Sequence, residues 1–385
     1  MTQTAFQNGH IEVERRPCCH VCGAGGRPAL QTFRDRVSSV PGEWSLRKCT
    51  APDCGLVWLD PMPRPSEISR LYQSNYFTHT PNPHQTTPIS GAAVPSPMTW
   101  REQIRSGWRN GRRPRRAASQ AAREHGVWER VGRHSAQVCR LLPGVSPSSR
   151  HPEYWLPDPP PSAKLLDVGC GSGDFLIQMK YCGWDVLGLE PDPEAVRTAR
   201  STHRLPVVEG TLDTAQLNTD GFDAVSMLHV IEHVPDPGAT LRRVWRLLRP
   251  GGRLLVITPN AHSLGARAFE CSWIGWEPPR HLHIFTSESL QRLLMATGFV
   301  LERRFSSGRN ARWTWDASDE IRRTGRCRSV ERPAGTVWSR WGGRLARLTE
   351  NLLPGGGGLG EELVAVAIKP PDGTPQASVR RSDSR

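Results

Sequence analysis

Between Lys164 and Phe305 short apolar runs alternate with amphipathic stretches, and this alternation constrains the fold more than any other feature of the chain. It specifies a parallel sheet whose strands are joined by crossover helices that cover its faces. Strands are expected at Lys164–Val168, Asp185–Leu189, Pro206–Val208, Phe222–Met227 and Arg253–Thr258, with helices over Asp174–Cys182, Pro193–His203 and Pro237–Leu248 between them. Pro250-Gly251-Gly252 stops the last of these, since proline has no N–H to give and glycine tolerates the exit turn. A helix over Ser287–Thr297 ends at Gly298 and leads into a strand over Phe299–Phe305, and Glu362–Ile368 reads as a closing strand.

A chain of 385 residues holds one such domain plus a smaller unit. The α/β domain is placed at 161–370, a cysteine-bearing N-terminal module at 1–78, a linker at 79–160 and a disordered tail at 371–385. Many of the 34 prolines fall in the linker, which is also rich in serine and arginine. Such a segment has too little apolar surface to fold, although one helix is drawn over Ala117–Leu142. The formal charge of +13 is dominated by arginine and raises the prior for an anionic partner, either nucleic acid or a phosphorylated small molecule, but solvated surface arginine is the favoured reading, since the first arginine cluster sits in the linker. No run approaches the roughly 18 apolar residues that span a bilayer. Met1–Pro17 lacks the apolar core of a secretory leader, so the expectation is a cytoplasmic protein with no membrane partner.

The apolar strand Leu165-Leu166 runs into Asp167-Val168-Gly169-Cys170-Gly171-Ser172-Gly173 and then directly into a helix. Glycine is needed where a strand turns sharply into a helix and a ligand lies against bare backbone. A dinucleotide fingerprint would place its third glycine at position 174, where this chain has Asp174, so the pyrophosphate pattern is not met. The next strand ends in Leu187-Gly188-Leu189-Glu190-Pro191-Asp192, and a carboxylate at Glu190 can accept both hydroxyls of an adenosine ribose. An adenosine without phosphates but with a charged amino-acid tail fits this pairing, with Asp167 near the tail's ammonium.

With Phe222-Asp223-Ala224-Val225, His229-Val230-Ile231-Glu232-His233-Val234 and Leu248-Arg249-Pro250-Gly251-Gly252-Arg253-Leu254, the sequence resembles the class I S-adenosylmethionine (SAM)-dependent methyltransferases, in their UbiG-like small-molecule branch. The resemblance covers about residues 161–307 and the last strand. It implies a Rossmann-like, doubly wound sheet of seven strands with the last one antiparallel, and SAM as cofactor. Carried onto this chain, the cofactor-binding positions are Asp167, Gly169, Cys170, Gly171, Gly173, Glu190, Pro191, Asp192, Leu212, Asp213 at the adenine, and His229.

Two cysteine pairs, Cys19-His20-Val21-Cys22-Gly23 and Cys49-Thr50-Ala51-Pro52-Asp53-Cys54-Gly55, resemble the knuckles of a zinc ribbon. Four thiolates close a tetrahedral site that stabilises rather than catalyses, so Cys19, Cys22, Cys49 and Cys54 are the expected ligands of a structural zinc. Cys18 and His20 stand as substitutes, and free cysteines are the competing reading.

Methyl transfer to a hydroxyl needs an aligned nucleophile and a group to take its proton, which histidine does best near neutral pH. His233 is expected to be that base and His281 an acceptor-site residue, with Trp273, Trp276 and Phe285 walling the pocket or covering the sheet edge. The expected function is O-methylation of a small molecule in secondary-metabolite or glycan biosynthesis. An RNA-directed enzyme using the basic surface and zinc ribbon is the alternative. Against it, Ser226-Met227-Leu228-His229 stands where amine-methylating nucleic-acid enzymes carry an Asp/Asn-Pro-Pro-aromatic stretch.

Overall fold

The computed structural model describes residues 5–8, 10–72, 155–330, 332–352 and 358–371. Six short strands make up the N-terminal part: β1 (Ala5–Asn8), β2 (Ile11–Glu14), β3 (Gly26–Phe33), β4 (Trp44–Cys49), β5 (Val57–Leu59) and β6 (Met62–Pro63). Trp44 and Leu46 on β4 and Trp58 on β5 turn inward and are fully buried, which fixes the register of β3-β4-β5. A short 3-10 helix, Pro65–Leu71, follows.

The central sheet has the order β13-β14-β11-β10-β7-β8-β9. Its strands are β7 (Lys164–Val168), β8 (Asp185–Glu190), β9 (Val207–Glu209), β10 (Phe222–Leu228), β11 (Leu248–Pro259), β13 (Val300–Ser307) and β14 (Glu362–Ile368). All neighbours are parallel except β14, which runs antiparallel to both β11 and β13. The seven-stranded sheet with its last strand reversed is therefore present. Ala224, Val225, Met227, Leu254, Leu255, Val256 and Ile257 lie at or below 1% exposure, as strands covered on both faces require.

Helices α1 (Asp174–Tyr181), α2 (Pro193–His203), α3 (Pro237–Leu247), α4 (Leu264–Phe269) and α5 (Ser287–Ala296) connect the strands. Both α2 and α3 begin with Asp-Pro: Asp192 accepts from the Ala195 N–H at 2.7 Å and Asp236 from the Ala239 N–H at 2.8 Å, while proline occupies a position whose N–H would have no partner. Two further helices, α6 (Ala311–Thr324) and α7 (Val337–Leu352), lie in a stretch where the sequence offered no assignment. Their arginines and glycines obscure the apolar periodicity.

Two differences from the sequence expectations concern boundaries. Trp155 and Leu156, at the end of the expected linker, are buried: Trp155 meets the Phe305 ring edge-on at 5.4 Å and its carbonyl accepts from Arg303 at 2.6 Å. The drawn helix Ala117–Leu142 and the rest of the linker to residue 154, like the tail beyond 371, fall outside the described residues. The N-terminal module is also not a separate body. Strand β12 (His283–Ile284), contributed by the α/β domain, pairs antiparallel with β5, and the Leu59 N–H donates to the Leu282 carbonyl at 3.0 Å. One apolar core runs from Trp44, Leu46 and Trp58 into Leu282, Ile284 and Phe285.

At this junction the fully buried Arg280 guanidinium makes a two-pronged bond to Asp35, both contacts 2.8 Å, and a third to Glu277 at 2.9 Å. Asp35 in turn accepts from the N–H groups of Val37, Ser38 and Val40, which shapes its loop. Burial works against ionisation of Asp35, but Arg280 and these N–H groups hold its carboxyl below the usual range. Removing one partner leaves a buried charge uncompensated, a loss of about 3–5 kcal/mol. Asp35→Ala should therefore lower the unfolding free energy of the whole chain, taken from a denaturant titration, by an amount in that range; an unchanged value would show that the two parts do not depend on this pair.

Candidate functional site

The carboxyl ends of β7, β8 and β10 converge on the loop after β7. Gly169, Gly171 and Gly173 have φ of 69°, 53° and 92°, a left-handed backbone that other residues adopt only with strain. A Cβ on Gly169 would stand 2.6 Å from the Val230 side chain and one on Gly173 2.5 Å from Leu205, so the loop is also too tightly packed for larger residues. Gly173 supplies no side-chain cap to α1. Asp167 is buried beneath the loop and accepts from the Ser226 hydroxyl at 2.7 Å. Burial raises its carboxyl to about 7, the Ser226 bond opposes this, and Glu190 nearby adds to the rise.

Glu190, at the end of β8, accepts from the Gly171 N–H at 2.8 Å and the Asp192 N–H at 3.0 Å, so its carboxylate is aimed at the glycine loop. Cys170 is buried and its sulfur would lie 2.5 Å from a Cβ on Gly188; its side chain belongs to the packing under the loop. Pro191 is exposed and Asp192 is the cap of α2 described above. Leu212 packs half-buried against the core, whereas the Asp213 side chain is largely exposed and paired with Arg243. The loop, Asp167 and Glu190 are thus brought together, with Asp213 turned outward to a surface arginine.

His229 follows β10 with a φ of 56°. Its Nε2 meets Glu362 at 2.8 Å and its Nδ1 lies 3.3 Å from Glu232. Glu362 also receives Arg309 at 3.0 Å and Asn310 at 2.7 Å, and Glu232 receives the Thr258 hydroxyl at 3.0 Å. Burial alone would lower the imidazole, but the two carboxylates raise it to about 9 and hold it charged. Both acids are driven down to about 2 against the cost of their burial.

His233 has the opposite setting. Burial and the neighbouring His281 bring its imidazole down to about 4, so it is neutral near pH 7. Its Nδ1 lies 3.1 Å from the Arg280 carbonyl and 3.0 Å from the Tyr72 hydroxyl. A carbonyl only accepts, so Nδ1 carries the proton and Nε2 presents its lone pair. The His281 ring stands edge-on at 4.7 Å; its Nδ1 donates to the Gly275 carbonyl at 2.8 Å and its Nε2 lies 3.7 Å from Glu277. One ligand atom each from Glu232, His233 and His281 lies within 4.8 Å of the others.

Sequence reasoning missed Tyr72, Asp35, Glu277 and Arg280 as parts of this site. Glu277-Pro278-Pro279-Arg280 carried a signal, two charges inside an aromatic and proline run, but Tyr72 lies 161 positions from the histidine it touches, and no local pattern pairs the two. Trp273, Trp276 and Phe285 are all buried: the two indoles pack edge-on at 5.0 Å, and Phe285 belongs to the core shared with the N-terminal strands.

Cys19, Cys22, Cys49 and Cys54 also converge, with sulfur to sulfur distances of 3.7 Å for Cys19 and Cys54 and 3.3 Å for Cys22 and Cys49. Four sulfurs about 2.3 Å from a tetrahedral zinc would be about 3.8 Å apart, so the donor set fits such an ion. The knuckle glycines Gly23 and Gly55 have φ of 77° and 68°. Cys18 is exposed, and His20 is turned away, its Nδ1 meeting His283 Nε2 at 2.9 Å.

Residues 141–303 match a family model described as a methyltransferase domain. A ubiquinone biosynthesis O-methyltransferase of Xanthomonas oryzae pv. oryzae is 41% identical over 105 residues, 26% of this chain and 44% of that protein. The protein of the same description from Xanthomonas axonopodis pv. citri is 39% identical over 108 residues, 26% of this chain and 45% of the relative. The chain thus spans less than half the length of these relatives. A SAM-dependent methyltransferase structure from Thermotoga maritima aligns with a TM-score of 0.40 at 19% identity, covering 61% of this chain and 94% of that one.

The charged His229 makes stability depend on pH. Its folded value of about 9 lies above the unfolded 6.5, so its contribution is full below 6.5 and is lost as pH rises through 9. With 37% of the side chain exposed, solvent screening reduces that contribution to about 1 kcal/mol. Denaturant titrations at pH 6 and 9.5 should show a loss of this size in the native chain and a smaller one in His229→Gln.

Proposed function

We propose that this chain, which carries a class I SAM-dependent methyltransferase domain, methylates a hydroxyl of a small-molecule acceptor with His233 as the base. The observation that carries the reading is the neutral His233, its Nδ1 held by the Arg280 carbonyl, on a loop whose Val230 packs directly against Gly169. The loop that would hold the cofactor and the group that would take the proton are therefore one packed unit. Relatives described as O-methyltransferases favour oxygen as the methylated atom.

The residues present fit SAM. Gly169 and Gly171 present bare backbone in the left-handed region, φ of 69° and 53°, Glu190 offers carboxylate lone pairs for two ribose hydroxyls, and Asp167 is a buried acid awaiting a cationic ammonium. Asp213 would serve the adenine after releasing Arg243. SAM supplies the electrophilic methyl when bound. The protein positions the acceptor, keeps water from it and removes its proton at His233 Nε2. Tyr72 and the Arg280 carbonyl hold Nδ1, so the ring keeps one tautomer and one orientation. His281 beside it keeps the imidazole neutral until the proton arrives.

His233→Ala should leave SAM affinity intact and cut turnover by about 10²- to 10⁴-fold. Because the free imidazole titrates near 4, kcat/KM for the acceptor at saturating SAM should be flat between pH 6 and 8, with any ascending limb well below the ordinary histidine range. SAM affinity itself should rise with pH through about 7, as Asp167 loses the proton that blocks its pairing with the ammonium. Calorimetry in which Gly171→Val and Glu190→Ala both bind SAM normally would remove the basis for this site; Glu190→Ala alone is expected to lose about 1–3 kcal/mol.

We further propose that Cys19, Cys22, Cys49 and Cys54 hold one structural zinc. Metal analysis should give about one zinc per chain, lost in Cys22→Ser. The Cys54 carbonyl accepts from Thr286 at 2.7 Å and β5 pairs with β12, so the same variant should lose turnover more than SAM affinity. Equal zinc in the native chain and a variant lacking all four cysteines would reject the assignment.

A further inference from the structure

Helix α7 is built the wrong way round for a helix facing water. Its inward positions are small: Ser339, Gly343 and Ala346 are buried, and Gly342 lies so close to Trp315 that a Cβ there would stand 2.0 Å from the indole. Glycine lets α7 approach α6 closely, and the price is that the large apolar residues face outward. Val337 is 69% exposed, Trp341 64% and Leu345 61%, at a spacing of four residues that aligns them in one stripe. Trp338 flanks the stripe, its inner edge on Phe269 and Trp315 and the Arg322 guanidinium 4.7 Å over its ring.

Arginine borders this stripe. Arg340 and Arg344 are exposed on the same helix, with Arg344 5.1 Å over the Trp341 ring. Between residues 322 and 347 the sequence has eight arginines and one acidic residue. An apolar face of tryptophan and aliphatic side chains framed by cations is the pattern of a helix that lies in the interface of an anionic bilayer. Nucleic acid would use the arginines and indoles but gains nothing from Val337 and Leu345.

We propose that α7 is a docking face for an anionic lipid surface, on which the chain sits peripherally. This departs from the sequence expectation of no membrane partner and is compatible with the absence, among the described residues, of any helix long and apolar enough to cross a membrane. It does not depend on the methyltransferase reading, because it rests on the outer face of one helix.

The test is co-sedimentation of the full chain with vesicles of phosphatidylglycerol and phosphatidylcholine, against vesicles of phosphatidylcholine alone. Binding to the anionic vesicles, weakened by salt, is expected. Trp341→Ala/Leu345→Ala should reduce it by about tenfold or more, and Arg340→Glu/Arg344→Glu should do the same, with circular dichroism melts unchanged in both. No binding to anionic vesicles would overturn the proposal, as would binding indifferent to Trp341 and Leu345. It would equally be overturned if the first double variant instead abolished a concentration-dependent dimer seen by ultracentrifugation, or tight binding of poly(U).

Discussion

The buried Arg280 guanidinium is the contact on which the arrangement of the molecule turns. It joins Asp35 of the N-terminal strands to Glu277 of the loop before β12, and all three groups are withdrawn from water. A guanidinium in such a place is tolerable only because five N–H donors in one plane can meet two carboxylates at once. Its own carbonyl faces His233 Nδ1, and the next residue is His281. The pair that welds the two parts of the chain therefore also sets where both histidines stand.

The two histidines after β10 show how environment divides one side-chain type into two charge states. His229 lies between Glu232 and Glu362, and the carboxylates hold it charged against the pull of burial. His233, four residues on, is buried beside another imidazole, and burial together with that neighbour outweighs the pull of Glu232, Glu277 and the Arg280 carbonyl toward the cation. Opposite shifts from neighbouring positions are what separate a structural cation from a group able to accept a proton. Glu232 serves both: its carboxylate faces His229, while its backbone carbonyl receives the N–H groups of Leu282 and His283 at 2.8 and 3.2 Å and so anchors β12.

The N-terminal strands act as a wall of the site rather than as an appendage. Tyr72 reaches His233, His20 meets His283, and the Thr286 hydroxyl that caps α5 also donates to the carbonyl of Cys54 at the sulfur cluster. Each contact spans more than 150 positions of sequence, so the order of the sulfur cluster and the order of the histidine pair are mechanically linked.

The sequence by itself determined the α/β class, the alternation of strands and helices, the Asp-Pro helix starts and the pairing of the glycine loop with Glu190, while the reversed last strand came only from the family resemblance. Apart from that strand, these follow from local rules: period, capping, and the freedom of glycine where the chain turns under a strand. It also marked the two cysteine knuckles, whose ligand spacing is local. Only the tertiary structure decided that β12 leaves its own domain to pair with β5, that Tyr72 and Arg280 hold His233, and that α7 turns its small residues inward. The physical reason is the same in each case. A buried ion pair, a strand at a sheet edge and a glycine-lined helix contact depend on what the rest of the chain brings opposite them, and no local pattern records the identity of that partner.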